Sequence, residues 1–198
     1  MKKNYYITTP IYYPSAKPHM GHAYSSIVAD FFARFKRICG YEVFFLTGTD
    51  EHGLKIQRAA EKNNKKPLEF CDEISKTFKD LSKTLNLSND DFIRTTENRH
   101  HKSVQKLWNI LEKKGEIYLS KYSGWYSVSD EAFYLNDEVE DKEGLKIAIP
   151  SGSPVEWVEE ESYFFRLSKW QDKLLDLYEK NINFILPKSR KNEVVSFV

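Results

Sequence analysis

Between Tyr5 and Gly40 the chain carries a pattern that few folds can accept: a short β-rich run, three prolines, and then a helical period that opens on a histidine–glycine–histidine cluster. Tyr5-Tyr6-Ile7-Thr8-Thr9 is aromatic and β-branched, which predicts a strand over 5–9, and Pro10, Pro14 and Pro18 interrupt whatever follows it. From Met20 to Ile38 apolar residues recur at Tyr24, Ile27, Val28, Phe31, Phe35 and Ile38, the spacing of one helix face. Gly40 stands where such a helix would close in a left-handed conformation.

His19, Gly21 and His22 therefore fall on the first helical turn. Unpaired backbone N–H groups and the positive end of the helix dipole favour an anion there. His19 and His22, three apart, share a face, and Gly21 between them would let a flat ring such as a purine lie against the backbone. Two imidazole donors aimed at a phosphate suit phosphoryl or nucleotidyl transfer without a protein nucleophile. The same four residues also fit plain helix capping, since a short HxGH pattern recurs by chance.

The order that follows is strand 42–46, helical segments 54–63 and 67–85, strand 91–95 and helix 97–114. That βαβαβ sequence predicts an α/β fold with a parallel sheet, its ligand loops at the carboxyl ends of the strands. Leu68, Cys71, Ile74, Phe78, Leu81 and Leu85 form a stripe best read as core. After Gly115 the pattern becomes short strands, 116–119, 124–128 and 132–135, and an acidic turn over 136–143. Helix resumes with Ser168 as cap, and Pro187 precedes a last helical piece, where Lys188, Arg190 and Lys191 read as a solvated face.

Thr8-Thr9-Pro10-Ile11-Tyr12-Tyr13-Pro14 with Lys17-Pro18-His19-Met20-Gly21-His22-Ala23-Tyr24 resembles the histidine motif of the class I aminoacyl-tRNA synthetases, in the form found among methionyl-tRNA synthetases. Gly48-Thr49-Asp50-Glu51-His52-Gly53 is similar to a second block of that family, and Arg94–Glu97, Gly124–Glu131 and Glu160–Ser168 look like further stretches of it. The resemblance implies the first half of a Rossmann-like nucleotide fold over 1–115, a small β-rich connective insertion over 116–166, and a helical continuation over 167–198. It implies activation of methionine by ATP with magnesium to methionyl-adenylate, then transfer to tRNA(Met). By position His19 and His22 would act on the α-phosphate and, with Gly21, bind ATP. Asp50 would hold the substrate ammonium, and Ile11 and Tyr13 would line the methionine pocket. Pro10, Tyr12 and His52 are secondary candidates.

The family's cysteine knuckles, which bind zinc in many members, correspond here to Tyr126-Ser127-Val128-Ser129, and no cysteine follows Cys71. With neither Cys nor His in the insertion, no structural zinc is expected. His100 and His101 diverge along a helix and suit solvent or substrate better than a metal. Cys39 and Cys71, on apolar helix faces, are expected to be buried free thiols. Thirty basic residues against 29 acidic ones leave a net charge of +1, which excludes a generally polyanion-attracting surface. The lack of an apolar leader or of a long apolar run predicts a cytoplasmic protein without a membrane segment. The resemblance also implies that the nucleotide fold's second half lies outside this sequence, so the chain is expected to be an N-terminal fragment with little activity alone. Two other classes fit parts of the pattern: a small HxGH nucleotidyltransferase, and a non-catalytic binding module derived from a synthetase.

Overall fold

In the computed structural model, which describes residues 3–142 and 144–198, three parallel strands form the sheet that organises the N-terminal part. β1 (Asn4–Thr8) pairs with β2 (Glu42–Thr49), which pairs with β3 (Asp91–Arg94), giving the order β1-β2-β3. The crossovers are α1 (Met20–Ile38) between β1 and β2, and α2 (Leu54–Lys62) with α3 (Pro67–Thr84) between β2 and β3. α4 (Asn98–Lys113) leaves the sheet after β3. Because all three strands run the same way, the segments 9–13, 50–53 and 95–97 emerge at one end of the sheet, where a parallel α/β sheet binds its ligands.

β2 runs three residues further than its apolar core suggests. Leu46 to Thr49 keep register with Asp91 to Arg94, and this fixes the first part of the second motif as strand, not loop. Gly48 is obligatory for that pairing, because a β-carbon there would lie 2.0 Å from the Ile93 carbonyl oxygen. Gly40 ends α1 at φ +82°, as a left-handed terminator should.

Two apolar clusters lie on the sheet face that carries Val43, Phe45, Thr47 and Thr49. Ala29 and Ala33 of α1 press on Phe45, with Ile7 and Val43 beside them. Further along the same face Tyr12, Ala60, Phe70, Ile74 and Phe78 pack together, so Cys71, Ile74 and Phe78 of the expected α3 stripe are core, whereas Leu68, in the first turn of α3, is 56 % exposed. The outer face of α1 is different: Met20, Tyr24, Phe31 and Ile38 are each more than 60 % exposed, and β1 has no strand on its outer edge among the described residues. Cys71 is buried but Cys39 is exposed, contrary to the expectation from the helix face. Cys39 lies one residue past α1, in the turn that leads to Gly40, where the helical face no longer applies.

The two strand pieces expected over 116–128 form one strand, β4 (Ile117–Ser127), continuous through Gly124. It pairs antiparallel with β5 (Ala132–Tyr134) and, over ten residues, with β8 (Glu156–Phe165). β8 escaped the sequence reading because its alternation is masked by the run Glu159-Glu160-Glu161. The segment read as an acidic turn contains a helical turn over Asn136–Glu138 and the strand β6 (Val139–Lys142), which pairs with β7 (Leu145–Ala148). Glu143 lies outside the described residues. Ser168 does not cap the next helix: a tight 3-10 turn over Leu167–Trp170 comes first, and α5 (Gln171–Lys180) starts after it. α6 (Lys188–Phe197) follows, with Arg190 paired to Glu193 and Lys191 donating to the Tyr178 carbonyl.

Candidate active site

The histidine pair sits where the first turn of α1 faces the end of the sheet, and each ring is fixed by the backbone of the other's turn. His19 is the N-cap residue, and its Nδ1 accepts a hydrogen bond from the Gly21 N–H at 3.1 Å. His22, three residues on, accepts from the His19 N–H through its own Nδ1 at 3.0 Å. This is a reciprocal capping box built from imidazoles instead of Ser and Glu. Capping thus does not exclude a ligand role, because the cap decides which ring nitrogen is left free. With both Nδ1 atoms acting as acceptors, each neutral ring must carry its proton on Nε2. Neither Nε2 has a hydrogen-bond partner among the described residues, which leaves two N–H donors free at a helix N-terminus.

The ring centroids of His19 and His22 lie 3.9 Å apart. Burial and the neighbouring His19 both push the His22 pKa below the ordinary value of 6.5, so that ring is held neutral. Tyr12 and Phe78 present the walls: their rings stack at 5.4 Å and each meets His22 edge-on, at 5.0 and 5.1 Å. Tyr12 is buried and its hydroxyl pairs with Ser26 at 2.6 Å, which makes it a support for His22 and not a surface group. Gly21 has a local reason to be glycine, since a β-carbon there would come 2.9 Å from Cε1 of the folded-back His19 ring.

The second motif approaches from β2. The Tyr12 N–H donates to the Gly48 carbonyl at 3.0 Å and the Asp50 N–H to the Tyr12 carbonyl at 2.8 Å, so the loop after β1 continues the sheet beside β2. This zipper places Asp50 next to Tyr13. The Asp50 carboxylate has neither a hydrogen bond nor a cation within the described residues. A half-buried unpaired carboxylate of this kind is suited to a ligand ammonium group. Ile11, half exposed, lines a shallow, mainly apolar cavity of about 200 Å³ with Thr8, Thr9, Leu46, Thr47, Gly48 and Ile93. Tyr13 donates its hydroxyl hydrogen between the His52 carbonyl at 2.9 Å and Glu131 Oε1 at 3.2 Å. Its phenol pKa is pushed up to about 12, first by burial and then by Glu131 and Asp50. Gly53, at φ +105°, passes so close beneath Tyr13 that a β-carbon would sit 2.7 Å from the phenol oxygen. His52 is exposed, its Nε2 lies 3.3 Å from the Thr95 carbonyl, and its ring is 5.9 Å from His101. Pro10 is exposed beside Ile11 and makes no polar contact that assigns it a role.

Sequence reasoning passed over the group that holds these loops together. Glu51 is buried, and its carboxylate accepts from Thr49, Ser75, Thr96 and, bidentately, Arg94. Burial alone would raise its pKa, but the hydrogen bonds from Arg94, Ser75, Thr96 and Thr49 outweigh that and hold it below the usual carboxylate value. Its own N–H donates to Thr95 Oγ1 at 2.8 Å. One residue thus ties the ends of β2 and β3 to α3, one position from Asp50. The signal was a carboxylate at Glu51 and a cation at Arg94 at the ends of neighbouring strands, a pairing that only the register reveals. Among the described residues, no group of three or more His, Cys, Asp and Glu is arranged to hold a metal, and no helix is long and apolar enough to cross a membrane.

Comparison with known proteins finds relatives across nearly the whole chain. A methionine–tRNA ligase of Rickettsia typhi is 57 % identical over 199 residues, covering 100 % of this chain and 38 % of that protein. That of Brucella suis is 54 % identical over the same share of each. A crystal structure of Mycobacterium tuberculosis methionyl-tRNA synthetase bound by methionyl-adenylate superposes with a TM-score of 0.94 at 49 % identity, over 98 % of this chain and 39 % of that one. The chain therefore spans little more than a third of the length of these relatives. The family model described as tRNA synthetases class I (M) matches residues 5–144, and with it this chain belongs to the methionyl branch of the class I aminoacyl-tRNA synthetases.

Proposed function

We propose that this chain supplies the adenylate-forming half of a methionine–tRNA ligase. The observation that carries the reading is the pair of unpartnered Nε2 atoms on the first turn of α1, linked through Tyr12 to an unpaired carboxylate just past β2. In the first step the methionine carboxylate attacks the α-phosphorus of ATP, the bond to the bridging oxygen of pyrophosphate breaks, and methionyl-adenylate forms. Negative charge grows on the α-phosphate oxygens in the transition state. His19 and His22, pre-oriented by their own cap, donate to those oxygens without reorganising, and the helix dipole adds to them. Asp50 pairs with the methionine ammonium and fixes the carboxylate for in-line attack. Ile11 and Tyr13 provide an aliphatic and an aromatic contact for the thioether. Gly21 serves the ATP site by leaving room for the His19 ring to fold back over the first turn of α1. Magnesium would be held mainly by the phosphates of ATP and would supply charge neutralisation at the departing pyrophosphate. The second step passes the methionyl group to the terminal ribose of tRNA(Met).

Exposed apolar residues on α1 and the open edge of β1 favour a larger catalytic domain than this sequence holds, so the chain by itself is expected to be a weak catalyst. The test is ATP–pyrophosphate exchange with a panel of amino acids, using this chain and the natural polypeptide that carries it. Exchange that depends on methionine, strong only in the longer protein, is the expected result. Exchange with another amino acid instead would overturn the substrate, and none with any would favour a binding module.

A further inference from the structure

The turn that joins β4 to β5 reaches back across 118 residues of sequence to the candidate amino-acid site, and its construction shows how. Asp130 gathers three hydroxyl donors on its carboxylate: Ser151 at 2.5 Å, Ser153 at 2.8 Å and Tyr134 at 2.8 Å. Its N–H donates to Ser127 Oγ at 3.3 Å, and Ser127 is fully buried. These bonds fasten the β4–β5 turn to the loop that follows β7. The hydroxyls also hold the Asp130 carboxyl down at about 2, so it remains a pure acceptor at neutral pH.

Glu131, the next residue, adopts φ +53°, the left-handed region that a β-carbon disfavours. That backbone aims its carboxylate at the loop after β2. Oε1 accepts from the Tyr13 hydroxyl at 3.2 Å, and Oε2 lies 3.6 Å from Lys55 Nζ at the start of α2. Gly53 passes directly underneath, where an added β-carbon would be 3.7 Å from Oε1. A hydroxyl has one hydrogen to give, and without Glu131 the Tyr13 phenol would keep only the His52 carbonyl to define its direction.

We propose that Glu131 is a positioning residue for methionine: from a turn fastened by Asp130, it orients the Tyr13 ring against the substrate side chain. This rests on the reading of Tyr13 as part of the methionine pocket. Glu131 acts through Tyr13 and takes no part in the chemistry of adenylate formation, so substitution there separates amino-acid affinity from turnover.

The experiment is methionine-dependent ATP–pyrophosphate exchange in the natural polypeptide that carries this sequence. The variants are Glu131→Gly, Glu131→Gln, Tyr13→Phe and the double variant Tyr13→Phe/Glu131→Gly. Glycine removes the carboxylate while relieving the left-handed backbone, so the change cannot be ascribed to a turn that fails to form. Glu131→Gly is expected to raise the methionine KM about fivefold to tenfold, the net worth of one hydrogen bond, with kcat and the ATP KM within about twofold. Glu131→Gln retains an acceptor for the phenol and should stay within about twofold of the parent on all three. In the Tyr13→Phe background Glu131→Gly should have no further effect. An unchanged methionine KM in Glu131→Gly, or an effect that persists in full without the Tyr13 hydroxyl, would overturn the proposal. Absence of methionine-dependent exchange in the unsubstituted protein is a different result: it would overturn the functional reading, and the assignment of Glu131 to methionine with it.

Discussion

Replacing Glu51 with alanine should destabilise this fold strongly, because it breaks a buried ion pair at the sheet's ligand-binding end. The Glu51 side chain is fully buried and Arg94 retains only 16 % of its side-chain exposure. The substitution would leave that guanidinium with Asp72 alone, at 2.6 Å on the more exposed side. It would also strand the hydroxyls of Thr49, Ser75 and Thr96. Breaking a buried pair by removing one partner costs about 3–5 kcal/mol, and the surviving Asp72 contact places the expected loss near the lower end, about 3 kcal/mol. With a urea m-value of about 2–3 kcal/mol/M, the unfolding midpoint should fall by roughly 1–1.5 M. Acid supplies an independent check. The folded-state pKa of Glu51 lies below its unfolded value of 4.5, so its contribution is full above that value and is lost as pH falls through the folded one. Glu51→Gln should therefore lower stability at neutral pH and flatten the decline below pH 4.5. A loss of under about 1 kcal/mol in Glu51→Ala, well short of what a broken buried pair costs, would refute the reasoning. So would an acid limb unaltered in Glu51→Gln.

Other consequences follow from the same geometry. Gly48→Ala drives a β-carbon into the Ile93 carbonyl and should cost about 3 kcal/mol or more, read as a lower urea midpoint; a neutral outcome would mean that β2 and β3 are not paired in this register. Asp50→Asn should raise the methionine KM in pyrophosphate exchange by about tenfold to a hundredfold, the worth of a charged hydrogen bond, and leave the ATP KM unaltered. The imidazole cap should be acid-sensitive. With its folded pKa depressed, His22 contributes stability above the unfolded value of 6.5 that is lost as pH falls through the folded one, because a proton on Nδ1 turns the acceptor into a donor. Nitrogen chemical shifts of both rings at neutral pH should report the Nε2–H tautomer, and an Nδ1–H signal from either would contradict the capping box.

Much of this site was legible before any coordinates because its motifs are local. The three prolines, the HxGH spacing and Gly40 each act within a few residues, so the strand, the turn and both ends of α1 follow from nearest-neighbour chemistry. Asp50 was legible only through the resemblance of Gly48–Gly53 to a block of the synthetase family. What the sequence hid depends on pairing across distance. Gly48 and Glu51 acquire their roles only when β2 meets β3, Glu131 only when the β4–β5 turn meets Tyr13, and β8 only when its acidic run lies along β4. Cys39 was misplaced for the opposite reason, because a helical period was carried one residue past the helix that generates it.

The central claim, that the histidine pair turns a helix cap into a charge-stabilising site, is tested most directly by single-turnover formation of methionyl-adenylate in the natural polypeptide that carries this sequence, parent against His22→Asn. Asparagine can present its side-chain oxygen where Nδ1 accepts from His19, so the cap and the urea midpoint should survive while the Nε2–H donor is gone. The account predicts a fall in adenylate formation of about a hundredfold or more, the typical cost of losing one such donor. Adenylate formed at the parent rate by a folded His22→Asn protein would show that the histidines only cap the helix.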